Sequence, residues 1–95
     1  MRKITKEAVE AFLKGCNFKS DNTEVNVTRH NVGYYLHDNL IALKSGDKIE
    51  VSLAGWNTKT TRERLNGIPG VSIHTVKGVP ILNGQIIEDD KFYTV

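Results

Sequence analysis

The run Ala54-Gly55-Trp56-Asn57-Thr58-Lys59-Thr60-Thr61-Arg62-Glu63-Arg64-Leu65-Asn66 gathers side chains suited to a flat, phosphorylated ligand. It holds the only tryptophan of the chain, three threonines, and three basic residues against the single acid Glu63. Trp56 offers an aromatic face on which a nucleobase can stack. Thr58, Thr60 and Thr61 offer hydroxyl groups, and Arg62 and Arg64 offer planar guanidinium groups that grip phosphate oxygens through paired hydrogen bonds. The run also joins a strand end to a helix start, where backbone N–H groups are free and the helix dipole favours an anion.

Each of these residues has a plainer alternative role. A tryptophan after Ala-Gly can pack in the core where a sheet edge meets a helix. Thr60 with Glu63 reads as a capping box, which uses the hydroxyl for the helix itself. Arg62 and Arg64 lie two residues apart, about 200° around a helix of 3.6 residues per turn, so one chain cannot direct both at one phosphate. Tyr34 and Tyr35 are neighbours on a strand and point to opposite faces, leaving one of them, with Tyr34 the candidate, available to stack on a ligand.

Other chemistries find little support. His30, His37 and His74 are scattered, without the spacing of a metal site, so no metal is expected. No G-x-S-x-G elbow and no phosphate-binding G-x-x-x-x-G-K-[ST] loop is present. His37-Asp38-Asn39 and His74-Thr75-Val76 do not match the paired His-x-Thr/Ser motifs of two-histidine phosphodiesterases. Cys16 stands alone, has no flanking His or Lys, and reads as a small buried residue of a protein in a reducing compartment.

The elements that must position the candidates are short. Thr5 is the expected cap of a first helix, stapled by Ile4 and Val9, with Val9, Phe12 and Leu13 as its buried stripe and Gly15 as its stop. Strands are expected at Thr23–Thr28, Tyr34–His37, Leu40–Leu43 and Lys48–Leu53, with Asp38-Asn39 as a two-residue turn. The second helix spans Thr60–Asn66. Strands at Val71–Val76, Val79–Leu82 and Gln85–Glu88 follow, with Asn83-Gly84 the strongest hairpin signal and Phe92–Val95 an edge strand. The class is α+β, a mostly antiparallel, short-stranded sheet with two short helices, in a single domain over residues 1–95.

Composition narrows the partners. Ninety-five residues leave room for one core and no deep enclosed pocket, so a ligand site is expected at a surface groove or between subunits. The net charge of +2 is too small for a sequence-independent duplex binder. No run of 18 apolar residues occurs, and no apolar leader core follows Met1-Arg2-Lys3, so neither a membrane span nor a secretory signal is expected.

The segment VSLAGWNTKTTRERLNGIPGVSIHTVKGVPILNGQ resembles a group of small phage-encoded proteins. They share an A-G-W element, T-T-[KR]-E-R-L-N, G-[LI]-P-G-V and a closing L-N-G hairpin. The helix A-V-E-A-F-L-K-G and Leu36-His37-Asp38-Asn39 fit the group more loosely, and Val79-Pro80-Ile81-Leu82 and Ile86-Ile87-Glu88 depart from it. The chain is similar to the anti-CBASS sponge proteins, the fourth named anti-CBASS family, which sequester cyclic nucleotide signals of bacterial immunity. The resemblance implies a catalytically inert binder of a cyclic di- or oligonucleotide in the host bacterial cytoplasm, needing no cofactor. It implies a homo-oligomer, dimer or tetramer, whose protomers share the site. An inhibitor that binds a host defence enzyme, or a phosphodiesterase that degrades the signal, are the alternatives.

Overall fold

The computed structural model describes residues 1–95, and its elements follow from the patterns above with several shifts of boundary. Helix α1 (Lys3–Lys14) buries Thr5, Ala8, Val9 and Phe12, one stripe at helical spacing. It starts before Thr5, at the Arg2 cap position, where no side chain caps it. Thr5 instead lies in the first turn, where its inward hydroxyl finds polar partners on α2 rather than its own backbone. Gly15 ends the helix at φ +75, with its N–H donating to Ala11 O at 2.9 Å. Cys16 is exposed and not in the core, because the chain has already left the packed face of α1 at this point.

Strands β1 (Phe18–Ser20), β2 (Thr23–Val27), β3 (Val32–Leu36), β4 (Asn39–Ser45) and β5 (Lys48–Val51) pair antiparallel in chain order. Near the C-terminus β9 (Tyr93–Thr94) joins the edge of β5, as expected for that segment. The β3–β4 turn centres on His37-Asp38, one residue before the expected pair, with φ +49 and +65. Burial of Leu36, which pairs with Asn39, fixes that register, since a one-residue slip would turn Leu36 outward. The register also shifts between Tyr34 and Tyr35: Tyr34 faces Ala42, Tyr35 faces Leu40, and Ile41 is the extra residue of a bulge.

Helix α2 (Lys59–Asn66) leads into a second antiparallel sheet of β6 (Ile73–Val76), β7 (Val79–Leu82) and β8 (Gln85–Ile86). Asn83-Gly84 forms the β7–β8 turn, with φ +49 and +85. The fold is thus α+β, with two helices and nine strands in two antiparallel sheets. Residues of both sheets and both helices join one buried cluster, from Phe12, Val25 and Tyr34 to Leu65, Ile73 and Leu82. Gly67, at the end of α2, has no room for a side chain: a Cβ there would lie 2.8 Å from methyl groups of both Thr5 and Val9. No helix is long and apolar enough to cross a membrane.

Candidate functional site

The chain leaves β5 through two left-handed residues, Ala54 at φ +54 and Gly55 at φ +82. A non-glycine residue in this region costs about 1 kcal/mol, so the turn is held by other contacts. Gly55 N–H donates to Asp89 O at 2.6 Å, Trp56 N–H to Leu53 O at 2.8 Å, and Thr58 N–H to Trp56 O at 2.9 Å. The turn swings the Trp56 indole outward, and 59% of the residue is exposed, which rules out the core role.

Thr58, rather than Thr60, caps α2. Its hydroxyl accepts from Thr61 N–H at 3.2 Å and lies 2.9 Å from Thr61 Oγ1. Glu63 takes no part in a capping box, because its carboxylate is turned toward Thr5 and Arg64 instead.

Trp56, Thr58, Thr60 and Thr61 line one groove of about 520 Å³. Leu36, Ile41 and Leu53 form its apolar wall, and His37 and Asn39 enter from the β3–β4 turn. The bulge at Ile41 and the tight turn at His37 bring that hairpin to the groove, nearly twenty residues away in sequence from Trp56. His37 and Asn39 line the groove, and sequence reasoning misses them. Only the likeness of Leu36-His37-Asp38-Asn39 to the phage group hints at them.

Three candidates lie elsewhere. Arg64 is 1% exposed and cannot meet a ligand from solvent. Its guanidinium donates to Thr23 Oγ1 and Thr5 Oγ1, both at 3.0 Å, and to Glu63 Oε1 at 2.5 Å. Tyr34 is fully buried: its ring packs 5.5 Å from that of Phe12 and its hydroxyl donates to Arg64 O at 3.3 Å. Of the tyrosine pair, Tyr35 is the more exposed. Arg62 is absent from the Trp56 groove and lines a cleft on the other flank of α2. Its Nη1 donates to Asn57 O at 3.2 Å and to Asn57 Oδ1 at 2.5 Å, which braces the loop carrying Trp56.

The buried polar cluster sets two titrations. Burial pushes the Tyr34 phenol far up, against the lowering effect of the nearby Arg64 charge. Burial also acts upward on Glu63, but donation from Thr5, from the Arg2 backbone and from Arg64 outweighs it and holds the carboxyl below the usual glutamate value. Within the groove His37 is the only titratable side chain, and no Lys or Arg side chain lines it. No three His, Cys, Asp or Glu side chains converge as a metal site would require. The groove can therefore stack a flat ring and donate hydrogen bonds, with an apolar wall behind.

A protein-family model described as Kyanoviridae Gp96 protein matches residues 1–94. No curated protein and no solved structure matches the chain.

Proposed function

The chain belongs to the Kyanoviridae Gp96 protein family, a phage family, and from that membership and the Trp56 groove we propose an anti-CBASS sponge. In this reading it binds a cyclic di- or oligonucleotide signal in the host cytoplasm and leaves it uncleaved. The observation that carries the reading is the exposed Trp56 in one groove with the hydroxyls of Thr58, Thr60 and Thr61 at the start of α2. A base stacks on the indole, while His37 and Asn39 meet its edge. Phosphate oxygens accept from the Thr60 hydroxyl and from the Lys59 and Thr60 N–H groups, since Thr61 N–H is already held by the Thr58 cap.

The absence of Lys and Arg side chains from the groove supports a site shared between protomers. A cyclic dinucleotide has approximate two-fold symmetry, and two-fold interfaces are the commonest in homo-oligomers. Nanomolar retention requires about 12 kcal/mol net. Two stacked bases at about 1–3 kcal/mol each and several charge-assisted hydrogen bonds at about 1.5–3 kcal/mol each reach that only if both protomers contribute. A phosphodiesterase is disfavoured because general acid and base need two titratable groups, and the groove offers His37 alone.

The test is recovery. Protein is incubated with a cyclic nucleotide and denatured, and the released nucleotide is separated by chromatography. Intact ligand is expected; recovery of cleaved product alone rejects the sponge. The outer face of the second sheet, with Val76, Val79 and Ile86 exposed, favours the second reading, an inhibitor that docks on a host defence enzyme. The two readings separate in a thermal-shift panel of cyclic nucleotides. Ligand at a thousand times its dissociation constant stabilises a sponge by about 4 kcal/mol, whereas the inhibitor shows no shift.

A further inference from the structure

On the flank of α2 away from Trp56 lies a second cleft, of about 490 Å³, between the helix and β6. Lys59 and Arg62 stand three residues apart on one face of the helix and line it, and His74 and Thr75 line it from the strand. Its two walls are fixed by one side chain. Asn66 Nδ2 donates to Ile73 O at 2.8 Å, and Ile73 N–H donates to Asn66 Oδ1 at 2.7 Å, which ties α2 to β6.

The charge of this cleft is positive and unspent. Lys59 and Arg62 take part in none of the four ion pairs of the protein. Arg62 anchors one nitrogen, Nη1, on Asn57, which orients the guanidinium while its Nε and Nη2 make no hydrogen bond within the protein. Glu63 also reaches the cleft, but its carboxylate already accepts from Thr5 and Arg64 and lies against the Arg64 charge. Two uncompensated cations, one of them braced, with the Thr75 hydroxyl opposite, match the oxygens of a phosphate group.

We propose that the α2–β6 cleft is a second ligand site, separate from the Trp56 groove, that takes a phosphate-bearing anion on Lys59 and Arg62 with the Thr75 hydroxyl facing it. Inorganic pyrophosphate is the probe. It has no base to stack on Trp56, so its binding is independent of whether a cyclic nucleotide is retained. Titration at low ionic strength, followed by backbone amide NMR, is expected to give saturable shifts at Lys59, Arg62, His74 and Thr75 with the Trp56 indole signal unmoved. Lys59→Glu, an exposed change that the start of a helix tolerates, is expected to remove saturation, and Lys59→Gln to weaken it roughly threefold. The proposal is overturned if sodium chloride of matched ionic strength gives the same shifts. It is equally overturned if the shifts centre on Trp56, Thr58 and Thr60, or if Lys59→Glu binds pyrophosphate as tightly as the parent protein.

Discussion

Arg64 ties α2 to two other segments, through Thr5 of α1 and Thr23 of β2, and also pairs with its neighbour Glu63. A buried guanidinium is stabilising only while its partners remain, and removing one member of such a set costs about 3–5 kcal/mol. Arg64→Met is therefore expected to lower the urea midpoint sharply, or to prevent folding. Glu63 makes the same cluster sensitive to acid. Its carboxyl is held below the ordinary glutamate value in the folded protein, so the stability it contributes is fully present above the ordinary value. That contribution is lost as pH falls through the folded value. Urea titrations from neutral pH downward should show the loss, and Glu63→Gln should flatten the curve. Trp56 behaves in the opposite way. As an exposed residue it can be replaced by alanine at a stability change within roughly 0.5 kcal/mol, and the proposed sponge reading expects that variant to lose cyclic nucleotide binding. A folded Trp56→Ala protein with unchanged affinity in calorimetry would move the ligand out of the groove.

Helix α2 depends on its two ends. Thr58→Ala removes the hydroxyl that caps Thr61 N–H and should cost about 1 kcal/mol, measured by thermal unfolding. Gly67→Ala pushes a methyl group toward Thr5 and Val9 and should cost about 1–3 kcal/mol by overpacking against α1. The strand beginning at Lys48, the Asn83-Gly84 turn and the Gly15 stop are all readable, because each is set by neighbours a few residues away. The cap of α2 and the start of α1 are not. In both cases a threonine was expected to serve its own helix. Thr60 instead faces a groove, and Thr5 joins a buried cluster with a helix nearly sixty residues away. The site divides in the same way. Trp56, Thr58, Thr60 and Thr61 share a short run and came together, whereas Arg64 and Tyr34 were drawn inward by partners that no local pattern reveals.

Across the molecule, the two flanks of α2 carry different chemistry, with an aromatic groove free of Lys and Arg side chains on one side and a cationic cleft on the other. A shared nucleotide site predicts that native mass spectrometry will record an oligomer with bound cyclic nucleotide in whole-number ratio to pairs of protomers. A monomer that retains one ligand per chain would argue against sharing. The strand order carries a kinetic consequence as well. From β1 to β5 every pairing joins consecutive strands, and the same holds from β6 to β8. Only β9, returning to β5, closes a long loop within a sheet. Loop-closure entropy is therefore small for most of the sheet, and folding rates rise as contacts become more local. The chain should assemble hairpin by hairpin, with the C-terminal strand sealing the edge of β5 last. Under the proposed sponge reading this matters, since a stoichiometric binder is useful only in proportion to the copies already folded.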